Sequence, residues 1–593
     1  MRDEPWLIVL GAGFTPAEMI SELGPIPSGL PPIGGVPAVI KMIKKSPIAK
    51  IVVVLHPEET ELARLLRISF PGSIMVFKKS NGSIGDAFLS GFDALAEANG
   101  LKDNNLQAIR GYVVYADTVA NYPDEADTIL AFAQPEKRWT TFEIDNSNLL
   151  ITEKNTDNPL KNSIVGVFHF SNLNLLAQLI RGCDQSSTSN YEYSTAYLDC
   201  ENKSIPDKGS ISPMNIFDSQ IADHITDNLD RFHKGLIYYH AFLPLHVELA
   251  STWLDVGHLD TYHDARRSAL VARWFNNVFV DPSESHVVIK TGIDRVKLAA
   301  EASWYINLPS HLQSLTPRFL GVRDDGYSLE YIPSILLSEQ FVFGRHSDSY
   351  WSRYLHTLDL AVKSLHSEQV DWDFDLANSS RRYMWITKSI ERINQVINLW
   401  PDLQDSITIN GIQTPGLNQV LSQLVKVVEA SRLCSHRPIT RIHGDLHSGN
   451  MLYDHRTASL KFIDPRGSFN VPGSHGDPVY DLVKLYHGFL GRYDSILFDC
   501  FEVVGDNGNY NLSFFEIGTA HEIMSKRFRQ WMVEQSSSFP YLVSIQDIEL
   551  GSSLLFLSLA ALHWESKEHQ RAFILRGLQL WRESTFDYGE VIG

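Results

Sequence analysis

Apolar residues in the first part of the chain come as short unbroken runs. Trp6–Leu10, Ile48–Leu55, Ile74–Phe77 and Gly111–Tyr115 are four of them. Each is too short for a core helix and rich in β-branched or aromatic residues, so each predicts a strand. The near-continuous apolar character says that the sheet is covered on both faces. Between the runs the period changes. In Pro57–Ile68, Leu62, Leu65, Leu66 and Ile68 recur at helical spacing. Strands alternating with helices predict a mostly parallel sheet. A last strand, Trp253-Leu254-Asp255, leads into a helix that runs towards Ala272.

From about Trp274 the pattern differs. Val287–Lys290 predicts a short strand, Val296–Leu308 a helix and Tyr327–Ile332 another strand. After Ser347 helical spacing dominates, through Tyr350–His366, Arg381–Leu399 and Leu417–Cys434. A strand–loop–strand unit interrupts at Ile439–Asp464, and helices resume with Phe515–Gln535 and Ile548–Arg582. The expected division is residues 1–268 and 269–593, the latter with a small lobe to about 335 and a helical large lobe from about 336. The chain shows no internal repeat and no Gly/Ser-rich or Pro-rich linker.

Composition narrows the class. With 593 residues, 44% hydrophobic and 20% charged, the chain is ordinary globular material with enough for several cores. Lys plus Arg number 51 against 70 Asp plus Glu, a net charge of −19. A surface of that sign disfavours nucleic acid and anionic membranes as partners. Cys183, Cys200, Cys434 and Cys500 have no CxxC spacing, which predicts reduced thiols rather than disulfides or a zinc knot. The acidic start and the absence of a long apolar run predict a cytoplasmic protein with no membrane insertion.

The strongest chemical signal is His443-Gly444-Asp445-Leu446-His447-Ser448-Gly449-Asn450, followed by Lys461-Phe462-Ile463-Asp464-Pro465-Arg466. Phosphoryl transfer needs a carboxylate to accept the proton of the attacking hydroxyl, and oxygen ligands to hold Mg²⁺ on nucleotide phosphates. Asp445 supplies the base, and Asn450 and Asp464 the metal ligands. A zinc site on His443 and His447 is the rival reading, but Gly444-Asp445 between them favours a loop and no third ligand is evident.

The stretch resembles the aminoglycoside phosphotransferase and choline kinase superfamily, relatives of the protein kinases. That resemblance implies a bilobal kinase-like fold that uses ATP and Mg²⁺. It places Lys290 of Val287-Val288-Ile289-Lys290 on the nucleotide phosphates and Glu301 as its ion-pair partner. It also makes Ser328-Leu329-Glu330-Tyr331-Ile332 the hinge, with Glu330 and Ile332 at the adenine, and Asp481 a brace for the Asp445 loop. Trp274-Phe275-Asn276-Asn277 stands where a glycine-rich loop is expected. Nothing after Asp464 resembles a protein-kinase activation segment, which points to a small-molecule acceptor.

The first part carries a second set: Gly11-Ala12-Gly13, then Gly29-Leu30-Pro31-Pro32-Ile33-Gly34-Gly35, Gly82–Ala87, Asp117 and Asp255. Together with Ile151–Lys154 and Ser163–Phe168, these resemble sugar-phosphate nucleotidylyltransferases, which implies a Rossmann-like sheet. The resemblance places Gly11, Gly13, Gly85 and Asp86 at the nucleotide and Asp117 and Asp255 on a metal. It also leaves a charge deficit, because Ala17 and Gly29 occupy places where that family carries an Arg and a Lys. Asp255-Val256-Gly257-His258-Leu259-Asp260-Thr261-Tyr262, Arg273-Trp274-Phe275-Asn276-Asn277, Ile463-Asp464-Pro465-Arg466-Gly467 and Gly476-Asp477-Pro478-Val479-Tyr480-Asp481-Leu482 together resemble bacterial capsule and surface-polysaccharide proteins that fuse these two kinds of domain, a resemblance over nearly the whole chain.

The expected protein is therefore an α/β bifunctional enzyme. Its kinase half would phosphorylate a sugar, polyol or small alcohol from ATP. Its other half would couple the product to a second nucleoside triphosphate, CTP, UTP, GTP or dTTP. Two alternatives stand beside this: a kinase whose N-terminal domain only binds nucleotide or regulates, and a non-catalytic scaffold of polysaccharide assembly. An oligomer is compatible with either.

Overall fold

The computed structural model describes residues 4–78, 83–100, 108–136, 138–145, 148–154, 159–183, 229–268, 270, 276–469, 471 and 473–585. These form two compact units. One comprises Met1–Ile20 and Ile26–Ala265, the other Ser21–Pro25 and Arg266–Gly593.

In the first unit the four apolar runs become parallel neighbours. Trp6–Gly11 lies between Lys50–Leu55 and Gly111–Tyr115, and Ile74–Phe77 continues the sheet beyond Lys50–Leu55. The central residues Leu7, Ile8, Val9, Val52, Val53, Val113 and Val114 are buried. Helices cover them, notably Ile84–Ala98, in which Phe88, Phe92 and Leu95 face the core. Beyond Gly111–Tyr115 the sheet turns antiparallel through Asn162–Phe170 and then the hairpin Thr141–Asp145 and Asn148–Thr152. A separate two-stranded ribbon pairs Thr118–Ala120 with Trp253–Asp255. That ribbon fixes the candidate metal residues.

The second unit opens with a four-stranded antiparallel sheet in the order Asn276–Val280, Val287–Gly292, Gly326–Glu330, Phe319–Arg323. The helix Arg295–Ile306, capped by Asp294, crosses it with Leu298, Ala302 and Trp304 buried. The remainder is mostly helical, including Asp348–His366, Val479–Phe489, Ala520–Ser536, Ile545–Leu559 and Lys567–Thr585. A β-rich small lobe carrying one helix, followed by a helical large lobe, is a bilobal kinase-like arrangement.

Several elements differ from the sequence reading. The run Ile548–Arg582 is two helices, because Ala560–Ser566 makes a turn in which the Ser566 hydroxyl accepts from His569 N. The stretch Arg381–Leu399 starts earlier, at Phe374, and contains one widened π turn at Tyr383–Thr387. A four-stranded sheet in the helical lobe, Ile412–Thr414, Ile407–Ile409, Asn509–Phe514 and Phe501–Asp506, was not predicted. Of the segment Trp274–Asn277, Trp274 and Phe275 lie outside the described residues, while Asn276 and Asn277 open a strand. Gly82 and Cys200 also lie outside them; Cys183, Cys434 and Cys500 are free thiols. Among the described residues no helix is long and apolar enough to cross a membrane.

Candidate functional site

The second unit gathers its charged residues around one loop. Val287–Gly292 pairs Lys290 with Val278 on one side and Tyr327 on the other, which buries the lysine. Its ammonium lies 2.7 Å from Glu301 Oε2 and 2.9 Å from Asp464 Oδ1. Tyr327 also donates to Glu301 Oε2 at 3.0 Å. Burial alone would discharge Lys290, but Asp464 and Glu301 outweigh it and hold its pKa above the usual lysine value. One ammonium thus joins a small-lobe carboxylate to a large-lobe one.

The Asp445 loop follows the strand Ile439–Arg441 and ends in a tight turn, Ser448–Asn450, before Met451–Asp454. Gly444 has φ of +78°, and a Cβ there would lie 2.2 Å from the Phe469 ring, so only glycine fits. The fully buried Asp481 accepts hydrogen bonds from His443 N at 2.8 Å and Gly444 N at 2.7 Å. His366 Nε2 bonds Asp481 Oδ2 at 3.1 Å. The Asn450 amide donates to Asp445 O at 2.9 Å and Asp445 Oδ2 at 3.2 Å. Ile463 N donates to Asn450 O at 3.0 Å, which sets Asp464 beside Asn450. Asp464 itself has φ of +55°, a left-handed conformation that is uncommon outside glycine.

Lys484 completes the group, and the sequence reading missed it. Its ammonium is 2.8 Å from Asp445 Oδ1. Burial favours the protonated acid, but Lys484 and His447 overcome it and keep the Asp445 pKa well below the usual carboxylate range. Lys484 is correspondingly raised: burial pulls its pKa down, and the Asp445 carboxylate more than reverses that. Every residue of Val479–Phe489 is buried, and a lysine in so apolar a helix needs an anionic partner, which here is Asp445.

His443 and His447 do not form a metal pair. His443 Nε2 is bonded to Ile463 O, and His447 Nδ1 accepts from Gly449 N. The predicted hinge residues end and follow the strand Gly326–Glu330, which pairs with the Lys290 strand. Glu330 is exposed and accepts from Arg318 N, Tyr331 N donates to His286 O, and Ile332 O accepts from Ser334 N.

In the first unit the ribbon brings Asp117 and Asp255 together, with Val256 N donating to Asp117 O at 3.0 Å. A Cβ placed on Gly257 would be 3.1 Å from Asp117 Oδ2 and 3.2 Å from Asp255 Oδ1, so both carboxylates border one small space. Trp139 Nε1 and Thr261 Oγ1 donate to Asp255 Oδ2, which also bonds His258 Nδ1 at 2.7 Å. Burial would raise Asp255, but His258 holds it below its ordinary value. Asp117 goes the other way, pushed up to about 6 by burial and by the Asp255 charge, with Lys154 opposing. Two buried carboxylates that repel each other fit a divalent cation. Among the described residues no three His, Cys, Asp or Glu side chains surround a common metal position.

Gly11 ends the first strand and Gly13 lies on the loop after it, where Ser28 N donates to Gly13 O at 3.0 Å. Gly85 and Asp86 are elsewhere, at the start of the helix Ile84–Ala98. There Asp230 accepts from Ile84 N and Gly85 N, and Arg231 pairs with Asp86 at 2.9 Å. Asp230 N in turn donates to Glu153, whose Oε1 lies 2.8 Å from His233 Nδ1, and His233 Nε2 meets the Tyr115 hydroxyl at 3.1 Å. Burial raises Glu153, yet the His233 hydrogen bond and charge bring it down to about 2. Asp230 and His233 carry no local sequence pattern that could have singled them out.

No protein-family model matches the chain, and no curated protein does. Solved structures do resemble its parts. A nucleoside-diphosphate-sugar pyrophosphorylase from Vibrio cholerae is 13% identical over 44% of this chain and 99% of its own, with a TM-score of 0.31. An inositol-1-phosphate CTP transferase from T. maritima is 12% identical over 46% and 99%, with a TM-score of 0.28. A choline kinase from Cryptosporidium parvum is 12% identical over 54% and 89%, with a TM-score of 0.33. Likenesses this remote say nothing of activity, which is read below from the chain's own residues.

Proposed function

We propose that the second unit is an ATP-dependent phosphotransferase acting on an alcohol. The observation that carries this is the single ammonium of Lys290 held between Glu301 and Asp464, next to a loop presenting Asp445 and Asn450. Asp445 would accept the proton of the attacking hydroxyl, with Lys484 holding one of its carboxylate oxygens in place. Asn450 and Asp464 would hold Mg²⁺, which bridges the nucleotide phosphates and neutralises developing charge. The donor set fits: the Asn450 amide is spent on Asp445, which leaves its carbonyl oxygen for a cation. Lys290 would hold the α/β-phosphates, and Glu330 and Ile332 the adenine. The test is ADP release from MgATP in the presence of sugars, polyols and amino alcohols. An Asp464→Ala chain that turns over at the wild-type rate would remove the assignment.

The first unit is proposed as a nucleotidyltransferase. It would couple the phosphorylated product to CTP, UTP, GTP or dTTP and release pyrophosphate, with Asp117 and Asp255 on a metal. Gly11 and Gly13 would lie against the nucleotide phosphates. Surface-polysaccharide synthesis is the proposed setting, and the cytoplasm the proposed location. Pyrophosphate release by wild type and its loss in Asp117→Ala test the activity.

Two observations favour a second reading in which this unit only binds or regulates. A Cβ on Gly29 would lie 2.7 Å from Ala116 Cβ and 3.0 Å from Val39 Cβ, which leaves no room for the missing lysine. The amides of Ile84 and Gly85 are also already taken by Asp230. No pyrophosphate from wild type with any nucleotide, while the kinase half works, selects this second reading.

A further inference from the structure

Near Asp445 and its partner Lys484 lie two more cations, Lys388 and Arg466, that the phosphotransfer chemistry does not use. Arg466 stands over the loop, with its guanidinium Nε donating to Ser468 O at 2.9 Å. Its backbone N donates to His443 O at 2.8 Å, and a Cβ on Gly444 would lie 2.9 Å from Arg466 Cβ. Its guanidinium Nη1 donates to the Tyr480 hydroxyl at 3.4 Å. Lys388, the first residue after the π turn Tyr383–Thr387, has its ammonium 5.8 Å from the centre of the Tyr480 ring. Lys484, one turn beyond Tyr480 on the same helix, bonds Asp445. Lys388, Lys484 and Arg466 all act on the charge of the buried Tyr480 hydroxyl, and so does Asp445. Three cations therefore converge where one carboxylate is present.

Neither Lys388 nor Arg466 has an ion-pair partner among the described residues. The neighbouring carboxylates are engaged elsewhere. Asp477 is bound by Arg381 and Arg437, Asp481 by the loop amides, and Asp464 by Lys290. Burial, with Arg466 and Lys484 nearby, drives the Lys388 pKa below the usual lysine value. Concentrating cations in a half-buried place is unfavourable unless an anion comes to it. A choline-like or aminoglycoside-like cation would meet repulsion there.

We infer that the acceptor of the second unit is an anionic alcohol, a hydroxyl compound bearing a carboxylate or a phosphate, held by Lys388 and Arg466 beside Asp445. This rests on the reading of the second unit as an alcohol kinase. In the step, the acceptor oxygen forms a bond to the γ-phosphorus of ATP as its proton passes to Asp445. The bond from that phosphorus to the β,γ-bridging oxygen breaks, and ADP leaves with the electron pair. The anionic group of the acceptor takes no part and serves to orient the hydroxyl.

The test uses the full chain with MgATP and acceptors matched in skeleton. Glycerol, glycerate, glycerol 3-phosphate and 2-amino-1,3-propanediol form one series. Glucose, gluconate, glucose 6-phosphate and glucosamine form another. ADP release is expected with kcat/KM at least about 100-fold higher for an anionic member than for its neutral counterpart, and lowest for the amine. The carboxylate and phosphate arms separate the two sources of charge. Lys388→Met and Arg466→Met should each raise the acceptor KM about 10- to 100-fold while the KM for MgATP stays within twofold. Lys388→Arg and Arg466→Lys should recover most of the loss, which separates charge from folding. Preference for the neutral or cationic members overturns the inference, as does a rise confined to the MgATP KM. Calorimetric titration with Mg²⁺ and a non-hydrolysable ATP analogue decides the rest. Binding of the analogue without turnover of any anionic acceptor also overturns the inference, whereas no binding removes the kinase reading itself.

Discussion

Asp481→Asn replaces one oxygen of a wholly buried carboxylate by an NH2 group and changes little in size. In the wild-type chain one oxygen accepts from Gly444 N, and the other accepts from His443 N and meets His366 Nε2. The amide can satisfy only one of those sides. The smaller loss turns the NH2 towards Gly444 N, leaving two buried donors face to face. Each buried donor without an acceptor costs about 1–3 kcal/mol, so about 2–6 kcal/mol in all. In a unit of this size about 1 kcal/mol moves the midpoint by roughly 2 °C, which sets the expected fall at about 4–12 °C. Activity should fall further than stability. The two peptides held by Asp481 immediately precede Asp445, and a displacement of about 1 Å in a reacting group costs about 100-fold in rate. Scanning calorimetry on the full chain, following the transition that MgATP shifts, measures the first effect, and ADP release below the midpoint measures the second. An Asn variant within 1 °C and threefold of wild type would refute the bracing role.

Asp445→Asn should keep the fold and the KM for MgATP but lower kcat by about 100-fold or more, read as ADP release. Glu153 has a depressed pKa, so its contribution is present above the unfolded value near 4.5 and is lost as pH falls towards about 2. The first unit's melting midpoint should therefore drop across that window, and Glu153→Gln, measured by the same pH series, should lack this component. Gly29→Lys should fail to raise pyrophosphate release and should lower the midpoint, because Ala116 and Val39 leave no space for a side chain. An increase in release would show that the charge deficit can be repaired at that place.

Much of the fold was legible because burial writes itself into periodicity. The strands around Leu7–Val9 and Val52–Val54 are buried on both faces and read as unbroken apolar runs. The unpredicted sheet of the large lobe was legible too, in turns rather than in hydrophobicity. Asn410-Gly411 and Asn507-Gly508 both have positive φ at each residue, the signature of a two-residue hairpin turn. In Asn509–Phe514, Tyr510 and Leu512 alternate with polar neighbours and are buried. Short strands inside a helical context were read as part of that context. At the site, Asp445, Asn450 and Asp464 fall into one local pattern, Lys290 and Glu301 follow from the resemblance, and the structure brings the five near one another. Lys484 and Asp230 could not be ranked from sequence, because their partners lie 39 and 146 residues away. Their significance comes from tertiary packing, on which local spacing is silent.

The discontinuous second unit has a consequence for how such a chain can be divided and inherited. Because Ser21–Pro25 belongs with Arg266–Gly593, the backbone passes between the units three times, after Ile20, after Pro25 and after Ala265. A single genetic break near residue 265 therefore does not yield two complete modules. The downstream piece lacks five residues of its own unit, and the upstream piece carries them as the end of the helix Ala17–Leu23 and the two residues after it. Recombination that exchanges one half for another would have to transplant that pentapeptide as well. Compatible partners should then be found by matching residues 21–25 to the incoming downstream half, rather than by matching only the ends at the obvious joint.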